Sequence, residues 1–132
     1  MKNYCIKAVT KIFLAIASAL GAISVVLGAF ASHGLKGKLS ESALAIWETG
    51  TKYQMYHALA LFLTALLLNR LPNSTPLIVA GYAFITGVLI FSGSLYTLSL
   101  SGIKWFGAIT PLGGVALIVG WISLIVAALG ME

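Results

Sequence analysis

Acidic residues are nearly missing from this chain: three glutamates and no aspartate in 132 residues. That leaves no pair of carboxylates for acid–base chemistry, no acidic residue within an apolar span to relay protons, and no Ser-His-Asp set. A single cysteine, Cys5, excludes an internal disulfide and a cysteine metal cluster. Charged residues make up only 8%, against about a quarter in soluble domains, so an ordinary soluble fold is excluded. The eight basic residues sit near the ends of apolar runs and make no basic face elsewhere. Anionic lipid headgroups are therefore the expected partner rather than nucleic acid. No phosphate-cradling loop or haem motif appears, no cofactor or metal is called for, and an enzyme is not indicated.

What is present is grease: 60% of the chain is hydrophobic and its mean hydropathy is +1.03. The apolar runs are continuous rather than alternating, which indicates helices. Several approach the roughly 20 residues that cross the hydrocarbon core. The punctuation predicts spans over 12–31, 51–70, 77–100 and 111–130 in one domain covering 1–132. The first run is longer than a signal-peptide core and is read as a retained span. It is expected to end at Ser32-His33-Gly34, with glycine at a left-handed terminus. Ser40 can cap a helix that has Glu41 in its first turn and Leu39 and Leu44 at staple spacing. That predicts a short interfacial helix over 41–49, a bend at Gly50, and then the second span. Thr110-Pro111 reads as cap and first helical position of the fourth span. On that reading 102–109 forms a re-entrant or interfacial connection; the alternative is one kinked helix over 104–130. The expected fold is all-α, a polytopic four-transmembrane-helix bundle with an interfacial helix before the second span.

Helices in lipid associate through small residues, which let backbones approach. The fourth span repeats Gly113, Ala116, Gly120, Ser123 and Ala127 in steps of three and four, the first carries Gly21 and Gly28, and the third carries Gly87. These glycines are the expected packing positions, at the shallow crossing angle of most four-helix bundles. Gly50, Tyr53, His57, Ala60 and Thr64 follow the same steps, placing the polar residues of TGTKYQMYHALAL (49–61) on the packing face.

An ionisable residue inside a span is a functional candidate by default, and His57 is one. The plainer reading is a neutral imidazole that bonds to a neighbouring helix and sets register. His33, Tyr53, Gln54, His57, Ser92, Ser94, Tyr96 and Thr110 all fall toward one membrane face. They could line a half-membrane pocket or form a packed polar layer, because serine and threonine in such helices bond across helices or back to their own backbone. Lys36, Lys38, Lys104 and Trp105 are expected at the headgroups. Lys2, Lys7, Lys11 and Arg70 mark one end of the bundle and Lys36, Lys38, Lys52 and Lys104 the other, so basic residues do not choose an orientation. The weight of the first helix favours both termini inside.

GAFASHGL (28–35), TKYQMYHALAL (51–61), FSGSLY (91–96) and ITPLGG (109–114), together with Trp121, resemble the domain of unknown function 423 family. That family groups small bacterial membrane proteins with the transmembrane protein 256-like proteins. The chain departs from it at Ala31-Ser32, where the family tends to have a second glycine before the histidine. The resemblance implies a four-span protein of the bacterial inner membrane or an organelle, and it supplies no activity. Two functional readings follow. One is a structural or accessory component that binds anionic lipid and packs with itself or a larger complex. The other is a small-molecule or lipid transporter or binding protein with its pocket around His57.

Overall fold

The computed structural model describes the backbone of residues 2–131 and the side chains of 4–131, so the side chain of Lys2 lies outside the described residues. The described residues form four α-helices: α1 (Lys2–Phe30), α2 (Glu41–Arg70), α3 (Thr75–Ser101) and α4 (Trp105–Leu129). Three segments, Tyr4–Leu35, Thr75–Ser101 and Trp105–Leu129, are long and apolar enough to cross a membrane by length and composition.

The helix ends follow local chemistry. The Ser40 hydroxyl accepts from the Ala43 amide at 3.2 Å, the expected N-cap. Leu39 and Leu44 pack together with Ala31, Leu35 and Trp47 below it. The end of α1 differs from expectation. Its last turn widens into a π-helical stretch, Ala31–Leu35, closed by a Lys36 N–H to Ala31 carbonyl bond of 3.1 Å. Gly34 lies inside that stretch, where a Cβ would meet the Phe30 ring at 2.5 Å. The left-handed glycine of this connection is Gly37, at φ 82°. Gly102, at φ 68°, plays the corresponding part after α3, its N–H bonded to the Leu98 carbonyl at 2.8 Å.

Two breaks expected from the sequence are not breaks. Residues 41–49 form the opening turns of an uninterrupted α2, which continues through Gly50 without a break. Glycine is needed there for proximity instead: a Cβ would stand 2.8 Å from the Tyr96 ring. The fourth helix likewise starts at Trp105 and runs through Pro111, as in the kinked-helix alternative. Proline removes one intrahelical donor, a loss membrane helices tolerate when neighbouring groups bond the freed backbone. Beside that point the Thr110 hydroxyl donates to the Phe106 carbonyl at 3.3 Å.

Consecutive helices pack antiparallel. Ser24 of α1 reaches Thr51 of α2 while Trp47 reaches back to Leu27. Ser92 and Ser99 of α3 reach Gly50 and Ala43 of α2. The backbone of α4 at Gly113 abuts α3 at Phe91, and Gly120 abuts Phe84. Phe13, Leu61, Leu68, Leu77 and Phe84 are buried at the centre. Large apolar side chains such as Leu59, Leu63, Leu89 and Ile118 face outward, a surface suited to lipid rather than water.

The closest approaches set large residues against glycine. A Cβ on Gly113 would lie 2.4 Å from the Phe91 backbone nitrogen, and one on Gly87 would lie 2.5 Å from Leu117. A Cβ on Gly120 would lie 2.5 Å from the Phe84 ring, and one on Gly81, not singled out from the sequence, would run into the Phe13 ring. Gly21 and Gly28 differ from expectation: a Cβ on either meets nothing within 4 Å. Among the described residues the buried ones of α1 are Ile6, Thr10, Phe13, Ala17 and Ser24, which turns both glycines off the interface. Replacing Gly113 with alanine should cost about 1–3 kcal/mol, because backbone cannot move aside as a side chain can. Gly21→Ala should be neutral or stabilise by about 0.5–1 kcal/mol through helix propensity. Equilibrium unfolding in detergent measures both, and equal stabilities would contradict the assigned interface.

Candidate functional site

The polar residues singled out in the sequence fall into three groups. The first is a set of bonds that ties α1 and α3 to α2, and α4 to α3. Gln54, 3% exposed, uses both ends of its amide. Its Nε2 donates to the Leu20 carbonyl of α1 at 2.8 Å. Its Oε1 accepts from the Tyr96 hydroxyl of α3 at 2.7 Å. Tyr96 in turn packs against Trp47, the rings inclined at 48° with centroids 4.7 Å apart. The Ser92 hydroxyl donates to the Gly50 carbonyl at 2.8 Å. Ser94 and Thr110 share a hydroxyl–hydroxyl bond of 2.7 Å between α3 and α4. Gln54, Ser92, Ser94, Tyr96 and Thr110 are thus drawn together along the bundle as a packed polar layer.

The second group surrounds His57. The Trp121 indole N–H donates to His57 Nε2 at 3.1 Å. An indole nitrogen can only donate, so Nε2 carries no proton and the imidazole is the Nδ1–H tautomer. Nδ1 then donates to the Tyr53 carbonyl of its own helix at 2.7 Å. Both ring nitrogens are engaged, which leaves neither free to bind a metal or pass a proton. The ring also lies edge-on to Trp121 and against Phe84, with centroids 6.0 and 5.7 Å away. Beside it a groove of about 640 Å³ opens sideways between α2 and α4. Tyr53, Tyr56, His57, Phe91, Leu117 and Trp121 form most of its wall. Of the eight pocket candidates, only Tyr53 and His57 line it.

The third group stands apart. His33 is exposed on the π-helical stretch beyond α1 and joins neither cluster. Lys36, Lys38 and Lys104 are exposed in the two connections at that same end of the bundle, and Trp105 is exposed at the start of α4 beside them. Among the described residues no three His, Cys, Asp or Glu side chains converge.

Sequence reasoning missed several members. Trp47 is 4% exposed and donates its indole N–H to the Leu27 carbonyl at 3.0 Å. A tryptophan in a helix flanked by apolar residues is a signal for such a bond, since a buried indole N–H seeks an acceptor. Ser24 and Ser99 bond to the Thr51 and Ala43 carbonyls, both at 2.7 Å. Pairing Trp121 with His57 needs two helices 64 positions apart, and nothing local announces it.

Because the Gln54 amide bridges α1 and α3, Gln54→Leu and Tyr96→Phe should not be additive. A double-mutant cycle on unfolding in detergent should give a coupling of about 0.5–2 kcal/mol, the range of polar pairs in membrane helices. Additive losses would mean that the Tyr96 hydroxyl gains nothing from the amide.

Comparison with known proteins finds similar chains that are named membrane proteins. The chain is 47% identical over 118 residues to the UPF0382 membrane protein YwdK of Bacillus subtilis (strain 168), covering 89% of this chain and 96% of that protein. It is 45% identical over 119 residues to a UPF0382 membrane protein of Staphylococcus aureus (strain bovine RF122 / ET3-1), covering 89% and 94%. A UPF0382 membrane protein of Staphylococcus epidermidis is 43% identical over 121 residues, covering 90% and 96%. No solved structure matches. The family described as "Protein of unknown function (DUF423)" matches residues 27–114, the segment that holds Trp47, Gln54, His57 and Tyr96. With this match and these relatives, the chain belongs to the DUF423 family of membrane proteins.

Proposed function

We propose that the chain is a four-span accessory component of the bacterial inner membrane, or its equivalent, that packs with itself or a larger complex and binds anionic lipid at its rim. The single observation that carries the reading is the use of its interior polarity. Among the described residues every buried side-chain nitrogen or oxygen has a partner within the protein. The polar residues hold helices together and leave no set of free groups for chemistry.

The four-span reading needs α2 to cross as well. Two arguments support it. The end of α1 and the start of α3 lie at opposite ends of the bundle, and α2 is the segment that joins them. Its polar residues Gln54, His57 and Thr64 are buried, while Tyr56, Leu59, Phe62, Leu63, Leu66 and Leu67 face outward. Hydropathy averaged along α2 thus counts polar groups that lipid never meets. The opening turns of α2 then lie at headgroup depth, with Lys36, Lys38, Lys104 and Trp105 around them, and both termini share the other, cytoplasmic side. A second reading, a lipophilic small molecule in the groove beside His57, is favoured by that groove's volume and aromatic wall.

With Cys5 replaced by serine, cysteines at Lys38 and Asn73 should react with a membrane-impermeant maleimide from opposite sides of sealed vesicles. Reaction of both from one side would refute the four-span reading. Native mass spectrometry of the protein taken from its own membrane in mild detergent should show a defined oligomer or a stoichiometric protein partner. A lone chain that carries one reproducible small molecule would replace the accessory role with the groove reading.

A further inference from the structure

Charge is distributed unevenly around the bundle. Neither α3 nor α4 carries a charged residue, and the 27 residues of α3 rise about 40 Å. The outer face of α1 and α2 is different. Gln54 is level with Leu20, to which it bonds, so Lys11 stands level with position 63 of α2. Between that level and Lys52 lie eleven residues, a charge-free band of about 17 Å. The hydrocarbon core of a bilayer is about 30 Å thick. Lys7, Lys11, Glu48 and Lys52 are all exposed. Both ends of the band open to the same side. Lys7 and Lys11 border a groove of about 240 Å³ with Asn69, floored by Leu14 and Leu66. Leu66 repeats the helical position of Lys52 and Leu59 at steps of seven, so one outward face of α2 carries the three.

A bilayer of ordinary thickness would bury these charges on one side of the protein while fitting the other. An isolated lysine can reach headgroups by extending its stem. The shortfall here is about 13 Å, shared between two ends, and the lower end holds the groove bordered by Lys7, Lys11 and Asn69 over an apolar floor. We propose that the α1–α2 face locally thins the bilayer, holding phospholipid phosphates at Lys7 and Lys11 at one end and at Lys52 at the other. The bound class is the phospholipid headgroup, recognised as an anion by lysine ammonium groups and Asn69, with its chains on the short leucine face between them. The α3–α4 face keeps a bilayer of full thickness, so the protein tilts the local membrane surface from one flank to the other. This rests on the four-span reading, because only then does the α1–α2 face meet lipid.

Spin labels at two positions of matched height test the inference. Ser92 bonds to Gly50, and Gly113 abuts the neighbouring Phe91, so Thr49 on α2 and Leu112 on α4 stand at nearly one level on opposite flanks. Each is replaced by cysteine in the Cys5→Ser full-length chain, labelled, and reconstituted in dioleoyl phosphatidylcholine–phosphatidylglycerol vesicles. Power saturation should give position 49 several-fold greater accessibility to a water-soluble nickel chelate than position 112. Converting Lys7, Lys11 and Lys52 to glutamine should remove most of that difference while leaving position 112 unchanged, which also reports that the variant is folded. Equal accessibility in the parent chain would overturn the proposal. So would a label at 49 shielded from both nickel chelate and oxygen, since a protein would then cover the face. The maleimide reaction at positions 38 and 73, run on the same vesicles, separates failure of the thinning from failure of the four-span reading.

Discussion

A donor buried in this protein has to find its acceptor within the protein, because lipid supplies none, and the bundle is arranged around that constraint. Gln54 shows the solution most fully. Its amide spans from the Leu20 carbonyl on one neighbour to the Tyr96 hydroxyl on the other, so one side chain sets the height of two helices against a third. Ser24, Trp47, Ser92 and Ser99 use the same device, donating to carbonyls of a facing helix. Those carbonyls belong to helical backbone and offer a second lone pair, which makes them available wherever helices come close.

Close approach is therefore the companion requirement, and glycine supplies it where bulk arrives from the other side. Tyr96 can reach Gln54 because its ring lies over Gly50, with a Cβ there excluded at 2.8 Å. Phe84 lies over Gly120 and touches the imidazole of His57 as well. Polar pairing and glycine contacts thus support each other: the hydrogen bonds fix axial register, and the small residues bring backbones near enough for the bonds to form.

The same logic accounts for the pairing of His57. Trp121 can only donate, so it dictates the tautomer, and the Tyr53 carbonyl takes the remaining proton. An intramembrane histidine is a functional candidate when one nitrogen faces a cavity. Here the imidazole contributes a face to the α2–α4 groove while both of its nitrogens are committed.

Sequence alone determined the all-helical class and several helix ends, because hydropathy and capping are local properties. Ser40 as cap, the glycine contacts at Gly87, Gly113 and Gly120, and the polar character of 49–57 were all legible in it. What only the tertiary structure decided was whatever depended on a neighbour. Gly50 and Pro111 read locally as a bend and a helix start, yet both lie inside continuous helices. Packing against Tyr96 gives the glycine its purpose, and the surrounding bundle holds the proline in a helix. The faces of Gly21 and Gly28 could not be told from those of Ala17 and Ser24, since α1 is rich in small residues on every side and only contact with α2 selects one. The sequence placed the eight polar candidates toward one membrane face, but His33 stands apart on the π-helical stretch, and whether the others made a pocket or a packed layer depended on side-chain pairing between helices. That pairing is a property of the assembled bundle, and it placed most of the polarity in hydrogen bonds and left the groove to Tyr53, His57 and Trp121.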